Sequence, residues 1–418
     1  MMTEKEAKTR EAIAAYLFIF PVLSKLIFPA SIEAIFSFML FDYFPCYFFD
    51  IFYIIYPFLA KKQPLHGAIR VASYILVLQF IFVVCGVFLN DYSDRYLLLW
   101  GNNYYFPALF FALNYPFTPY QIHLIKKPLL FCFLFLVIQI ILLSTGVVSY
   151  SPDIVDAEYA GMARVATSIG APNGTSVAMF LLGGLVFYLY EKSSLKYPIL
   201  FFWATGVFLT VSRAASIAVV VSYIYFLYKE IYNSKKKAKT SFILILASVV
   251  ILFALFKTGY IAPLLERTTG INDSGADVTS GRTTIFQVAL KLAYIHPIWG
   301  VGFGNVYCTT SLSSAAYTSA YNFAPHNLFI LTLVEQGIVG FVLFVAFYLT
   351  VLTHISYNKN ILSIVLLLTT LVLFNAETII INCEYMYLIS MVINISMNKP
   401  EEYVPEEENY ESPEIITE

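Results

Sequence analysis

Apolar runs of about twenty residues recur along the whole chain, and this feature restricts its fold more than any other. About 20 helical residues cross the hydrocarbon core of a bilayer, which is about 30 Å thick. Backbone polar groups in lipid must be bonded within the segment itself, so such runs form helices. The predicted spans are 11–30, 32–60, 68–90, 96–114, 128–149, 172–190, 198–212, 214–228, 241–261, 327–352, 360–376 and 379–397. The sequence therefore predicts an all-α polytopic membrane protein with about twelve transmembrane helices.

The overall composition excludes a water-soluble fold. Hydrophobic residues make up 59% of the chain and charged residues 12%, whereas soluble domains carry about 25% charged residues. The five cysteines are scattered singly, so neither a metal site nor a disulfide framework is predicted. The charged N-terminus runs directly into an apolar stretch without a cleavage site, which indicates a retained first helix rather than a signal peptide.

The distribution of lysine and arginine predicts the orientation of the chain, because these residues accumulate in cytoplasmic loops. With a cytoplasmic N-terminus and twelve alternating spans, 17 of the 25 basic residues face the cytoplasm. Both termini are then cytoplasmic. The expected layout is N-terminal transmembrane helices over 1–150, central transmembrane helices over 151–261 with an outer loop at 150–171, a large periplasmic loop over 262–326, C-terminal transmembrane helices over 327–397 and an acidic cytoplasmic tail over 398–418.

Arginine is concentrated on the side that this orientation makes external. Five of the seven arginines lie there or at the membrane boundary, whereas the cytoplasmic positive charge is mostly lysine. The planar guanidinium group is favoured where phosphate or carboxylate is bound in a bidentate manner. Membrane topology does not require external arginine, so an anionic ligand on the outer side is the hypothesis.

The loop over 262–326 is too long for a simple connection between two helices. Its middle part, GRTTIFQVALKLAYIHP, has apolar residues at helical spacing, with Thr279 or Ser280 as the expected cap and Pro297 as the end. The following segment PIWGVGFGN has glycines at alternate positions, which predicts a tight turn. We therefore expect a large helical extracytoplasmic loop before the last three transmembrane helices.

Two arginines are candidates for binding an anion, and each also has a simpler interpretation. Arg213 lies between two apolar stretches, where it either extends to the interface or binds an anionic ligand, because a charge in the membrane is costly unless it is paired. Arg282 lies in the first turn of the loop helix, where it is either a solvated surface charge or, together with the helix N-terminus, an anion site.

Three residues around the start of the span over 327–352 are further candidates. His326 is either an interfacial capping residue or a general base, since its ordinary pKa is near neutrality. Asn327 could orient His326 or bind a sugar, and Glu335 could pair with an arginine or be protonated. Arg164, in the outer loop before the span over 172–190, is either a loop charge or a substrate contact.

Five short motifs in a fixed order resemble the O-antigen ligase and polymerase superfamily of bacterial surface polysaccharide assembly. They cover about residues 160–345, whereas the first 150 residues are similar only in hydropathy. The motifs are R…G.PN from Arg164 to Asn173, SRA from Ser212 to Ala214, GR at Gly281 before an amphipathic helix, P..G.G.GN from Pro297 to Asn305 and HN…E.G..G from His326 to Gly340.

The resemblance implies a metal-independent glycosyltransferase without a cofactor. A glycan on undecaprenyl pyrophosphate would pass to an acceptor hydroxyl at the outer face of the bacterial inner membrane. Arg282 and Arg213 would hold the pyrophosphate leaving group, and His326 would take the proton of the acceptor hydroxyl. The remaining candidates, Arg164, Asn173, Asn327 and Glu335, would contact the substrate.

Three functions remain open at this stage. The favoured interpretation is a polymerase that joins lipid-linked repeat units of O-antigen, capsule or exopolysaccharide, because HNLFILTLVEQGIVG resembles such polymerases. The first alternative is an O-antigen ligase, whose acceptor is lipid A–core or protein. The second is a secondary transporter, although the internal repeat typical of that class is missing from the sequence. The expected partners are the lipid-linked glycan, the acceptor glycan or lipid A–core, a chain-length regulator and the lipid bilayer, and no nucleic acid.

Overall fold

The computed structural model describes residues 3–27, 37–40, 44–47, 50–60, 67–89, 106–148, 165, 167, 172–210, 212–233, 282–302, 327–357, 361–369 and 383–397. Helices account for nearly all of these residues. In chain order they are α1 (Glu4–Ile27), α2 (Asp50–Leu59), α3 (Gly67–Leu89), α4 (106–114), α5 (Pro119–Ser144), α6 (Pro172–Leu189), α7 (Lys196–Leu209), α8 (Arg213–Asn233), α9 (Arg282–Ile295), α10 (Leu328–Tyr357), α11 (Ile361–Leu368) and α12 (Cys383–Ser396).

The chain is a polytopic membrane protein, as the sequence predicts, and its described residues are helical except for one short hairpin and the connections. Four of the described helices are long and apolar enough to cross a bilayer alone, over Gly67–Gly86, Pro119–Ser144, Arg213–Tyr232 and Leu328–Ile355. Shorter apolar helices lie beside them, including α7 and most of α6. The predicted span over 241–261 and the acidic tail lie outside the described residues.

The long helix predicted over 32–60, with a kink at Pro45, is wrong at 37–40 and 44–47. This region contains two antiparallel strands, β1 (Ser37–Leu40) and β2 (Phe44–Tyr47), followed by the ten-residue helix α2. Pro45 pairs with Met39 within the hairpin. Proline has no N–H and clashes with the preceding helical turn, while the many aromatic residues here favour strands, so an uninterrupted helix is not formed.

Helix α6 lies at the centre of the bundle. Almost every side chain from Val177 to Phe187 is buried, and the helix contacts α5, α7, α8, α11 and α12. A Cβ atom added to Gly183 would lie 2.1 Å from the indole ring of Trp203 on α7. Small residues allow membrane helices to approach closely, so Gly183 makes room for the fully buried Trp203.

Charged residues between α6, α7 and α8 are paired at one end of the bundle. The Lys196 ammonium lies 2.8 Å from a Glu230 carboxylate oxygen, and Lys229 pairs with Glu191. Lys126 of α5 lies over the ring of Tyr190, 4.3 Å from its centroid. The lysines in this set are among those that the charge distribution predicts to be cytoplasmic. We therefore call this end of the bundle the predicted cytoplasmic end, and we call the opposite end of the bundle the predicted outer end.

The last described helix is bonded to a turn near the middle of the sequence. The Asn394 side chain of α12 accepts a hydrogen bond from the Phe117 N–H at 2.7 Å and donates one to the Tyr115 carbonyl at 2.9 Å. The Tyr56 hydroxyl also donates to the Tyr115 carbonyl, at 2.7 Å. Asn394 is fully buried, so it satisfies backbone groups of the turn between α4 and α5 that water cannot reach.

Candidate functional site

Arg213 is the first residue of α8, directly after a break between two membrane helices. Helix α7 ends at Leu209, and the Ser212 carbonyl accepts the first helical bond of α8, from the Ser216 N–H at 2.9 Å. The predicted break at Ser212 and Arg213 is therefore confirmed, and so is the short span before it, whereas α8 has 21 residues and is longer than the predicted span over 214–228. Arg213 is half-buried. A helix start carries partial positive charge, so the guanidinium group and the helix together favour an anion at this position.

Arg282 occupies the corresponding place in the predicted outer loop, because it is the first residue of α9. The helix predicted in this loop is confirmed over Arg282–Ile295. The Arg282 side chain and the predicted caps Thr279 and Ser280 lie outside the described residues. Ala289 is fully buried and the helix packs against α10. The loop helix is thus part of the folded body rather than a separate appendage.

The chain after α9 forms the tight turn that the glycine pattern predicts. Gly300 and Gly302 have φ values of +68° and +98°, a region that favours glycine. We call Pro297–Gly302 the glycine turn. Its N–H groups bond to α10, since Val301 donates to the Val334 carbonyl and Gly302 to the Glu335 carbonyl, each at 2.8 Å.

Helix α10 is interrupted where the glycine turn contacts it. Gly337 has φ +62° and ψ −170°, so the helical hydrogen bonding is broken there. In return, the Ile338 N–H donates to the Pro297 carbonyl at 2.8 Å. A Cβ atom on Gly300 would lie 2.4 Å from the Glu335 carbonyl oxygen. The glycines therefore permit two main chains to touch, and the turn satisfies the polar groups released by the break.

The start of α10 is capped by Asn327. Its side-chain Oδ1 accepts a hydrogen bond from the Ile330 N–H at 2.9 Å, the usual geometry of an asparagine N-cap. This structural role was not among the roles predicted for Asn327, which were orienting His326 and binding a sugar. His326 itself lies outside the described residues. Glu335 is buried, with 4% of its surface exposed, and its carbonyl belongs to the contact with the glycine turn.

Two buried glutamines join α3 to α10 beside the break. The Gln79 amide Nε2 donates to Gln336 Oε1 at 2.9 Å, and both side chains are buried. Close by, the rings of Phe82 and Trp299 stack with centroids 4.4 Å apart. The sequence reasoning missed this contact. A lone glutamine in an otherwise apolar span was the available signal, because a polar group in hydrocarbon needs a partner.

The first motif is described only in part. Arg164 lies outside the described residues, and Asn173 is placed as the second residue of α6, without its side chain. Beside it, Gly174 lies against α12, since an added Cβ atom would be 1.9 Å from the Tyr385 hydroxyl. Tyr385 is buried and comes from near the end of the chain. The sequence motifs did not indicate this contact between Tyr385 and Gly174.

The structure thus brings together two of the five motifs. The P..G.G.GN segment and the HN…E.G..G segment meet through the glycine turn and the break in α10. Because α9 leads directly into that turn, the start of α10 is tied to the loop helix that begins with Arg282. The described residues form two helix starts that carry arginine, one on the loop helix and one on a span. Each of these two helix starts by itself favours an anion.

Comparison with protein families gives a match to part of the chain. Residues 198–345 match the family described as O-Antigen ligase. A search of curated proteins finds no match to the chain. The matched segment is about a third of the 418 residues, and it contains Arg213, Arg282 and His326. A domain of this family implies an enzyme that transfers a glycan. Residues 198–345 are therefore similar to the O-antigen ligase family, and through this segment the resemblance of the chain to the O-antigen ligase and polymerase superfamily is confirmed.

Proposed function

We propose that the protein is a polymerase that joins undecaprenyl-pyrophosphate-linked oligosaccharide repeat units at the outer face of the bacterial inner membrane. The observation that carries this proposal is the similarity of residues 198–345 to the O-antigen ligase family, a segment in which Arg213 and Arg282 each begin a helix. Both helix starts favour anions. A lipid-linked pyrophosphate is the anion that a glycan-transferring membrane enzyme handles at that surface.

In the proposed reaction, the acceptor hydroxyl oxygen attacks the anomeric carbon of the donor glycan. The new glycosidic bond forms as the bond between that carbon and the pyrophosphate oxygen breaks. Arg213 and Arg282 bind the departing undecaprenyl pyrophosphate and stabilise its developing negative charge. His326 accepts the proton of the acceptor hydroxyl. No metal or cofactor is required, because the guanidinium groups supply the positive charge.

The remaining candidates are proposed to contact the sugar and the pyrophosphate. Arg164 and Asn173 precede or begin α6, and Asn327 begins α10. Glu335 lies further along α10, at the contact with the glycine turn. We propose that Asn327 combines its capping role with substrate contact, since its amide has both donor and acceptor capacity. A chain-length regulator is a candidate partner.

A ligase that transfers the finished glycan to lipid A–core is the second candidate, and the description of the matched family favours it. The two reactions share a donor and differ only in the acceptor. The same site can therefore serve either, and the acceptor has to be identified by the product.

The deciding experiment is the surface-glycan banding pattern of cells that lack the protein. We expect a core that carries a single repeat unit, a full ladder after rescue with the wild type, and no ladder with His326→Ala or Arg282→Ala. Arg70→Ala is the matched control, because Arg70 is an exposed arginine at the predicted cytoplasmic end of α3. Long undecaprenyl-linked glycan with a bare core would instead identify a ligase. Unchanged surface glycan in the deletion strain would contradict both reactions.

A further inference from the structure

The loop helix α9 and the glycine turn expose a continuous set of large apolar side chains. Tyr294 is 86% exposed, Ile298 55% and Trp299 37%, and Leu290 and Ile295 are also exposed. We call these five residues the loop ridge. The opposite side of α9 packs against α10, and Ala289 on that side is fully buried. An apolar surface of this kind on an outer loop needs a partner other than water.

Two contacts attach the loop ridge to membrane-spanning helices. Trp299 stacks on Phe82 of α3 with an interplanar angle of 11°. The Pro297 carbonyl accepts the Ile338 N–H of α10. Ile338, Val342 and Leu349 are exposed along one side of α10, which is the side that meets lipid in a membrane span. The ridge therefore begins at the lipid-facing surface of two spans.

The lengths of these two spans give the depth of the contact. Helix α10 has 30 residues, about 45 Å at 1.5 Å per residue, which exceeds the bilayer core of about 30 Å. The apolar span of α10 ends at Ile355, which we take as the cytoplasmic boundary of the bilayer core. A core about 20 residues long then has its outer boundary near residue 336. Ile338 then lies about 3 Å inside that boundary. From the end of the other span at Gly86, Phe82 lies about 6 Å inside.

We propose that the loop ridge inserts into the outer leaflet and contacts the acyl chains of phospholipids. The two spans independently place Trp299 a few ångströms below the outer boundary, where tryptophan is enriched in membrane proteins. Apolar faces of interfacial helices are buried about 5–10 Å into this region. The insertion holds α9 at the membrane surface, so that its first residue, Arg282, stays near the level of lipid phosphates.

The test is the quenching of Trp299 fluorescence in vesicles of phospholipids brominated at defined acyl positions. The chain has three tryptophans, and Trp203 is fully buried, so the difference between the wild type and Trp299→Phe isolates the signal of Trp299. We expect bromines near the headgroup to remove most of that signal, and bromines near the bilayer centre to remove less. Tyr294→Trp in the Trp299→Phe background should restore the shallow quenching.

Two results would overturn the proposal. If brominated lipids leave the Trp299 signal unchanged while aqueous acrylamide quenches it, the ridge faces water. If neither quencher acts, protein covers the ridge, as in contact with a second copy of the chain. The measurement does not use glycan transfer, so its failure is distinct from the failure of the proposed polymerase reaction.

Discussion

Gly337 lies so close to the main chain of Ile298 that an added Cβ atom would be 2.2 Å from the Ile298 carbonyl oxygen. The neighbouring contact is equally tight, since a Cβ atom on Gly300 would lie 2.4 Å from the carbonyl oxygen of Glu335. In both cases the obstacle is backbone, which cannot rotate away as a side chain can. The contact between the glycine turn and α10 therefore depends on both glycines.

Gly337→Ala is expected to lower the free energy of unfolding by about 2–6 kcal/mol. A residue with a Cβ atom at φ +62° and ψ −170° is strained by about 1–3 kcal/mol, and overpacking against fixed atoms adds about 1–3 kcal/mol. Thermal unfolding of the purified protein in detergent measures the change. Gly146→Ala is the matched control, because Gly146 also has positive φ, +71°, but nothing within 4 Å of an added Cβ atom. Equal losses for the two variants would show that steric contact contributes nothing.

The amide pair between α3 and α10 is expected to be energetically coupled. Gln79→Leu and Gln336→Leu each leave one buried amide without its 2.9 Å partner, which costs about 1–3 kcal/mol. The double variant should lose less than the sum, by about 0.6–1.7 kcal/mol, as measured for hydrogen bonds between membrane helices. A double-mutant cycle of unfolding free energies measures this term. A coupling of zero would mean that the bond adds nothing to helix association.

Asn394→Leu is expected to be among the most destabilising single changes in α12. It removes both hydrogen bonds to the Tyr115–Phe117 turn. The Tyr115 carbonyl keeps its bond from the Tyr56 hydroxyl, but the buried Phe117 N–H loses its acceptor, at a cost of about 1–3 kcal/mol. Ser222→Ala serves as the control, because the buried Ser222 hydroxyl donates to the Ala218 carbonyl one turn earlier in the same helix. Unfolding in detergent should separate the two variants clearly. Similar melting temperatures would argue against the proposed role of Asn394.

Arg213→Lys tests whether the proposed leaving-group contact needs a guanidinium group. Lysine keeps the charge but cannot make two parallel bonds to a pyrophosphate, and the loss of one such donor lowers turnover by about 10²–10³. We expect a decrease of that size in glycan product formed by membranes, with unchanged protein level. Arg70→Lys, at the other end of the bundle, should leave product formation unchanged. A fully active Arg213→Lys would mean that charge alone suffices.

Much of this fold could be predicted because lipid leaves few alternatives to helices. The break at Ser212 and Arg213, the loop helix from Arg282 and the tight turn at Gly300 follow from local patterns: apolar length, helical spacing and alternate glycines. The region over 32–60 was mispredicted, because hydropathy alone does not distinguish an apolar hairpin from a helix. There Pro45 and the surrounding aromatic residues determine the outcome.

The contacts between motifs could not be predicted from the sequence. Nothing in the sequence around Gly337 indicates that the nearby carbonyl groups of Val334 and Glu335 accept hydrogen bonds from the N–H groups of Val301 and Gly302. That pairing depends on how the chain returns from α9 to α10. Tyr385 was missed for the same reason, because it reaches Gly174 from a helix more than 200 positions later in the sequence. For all seven candidate site residues, the assigned roles in binding and catalysis stay predictions.

The bond between Phe117 and Asn394 has a consequence for biosynthesis, because 277 positions separate the two residues. Ribosomes add about 5–20 residues per second, so the Asn394 amide emerges roughly 14–55 s after the turn that it satisfies. During that interval the turn between α4 and α5 must be kept solvated or held by the insertion machinery. The turn between α4 and α5 thus acquires its last side-chain partner only when α12 is in place.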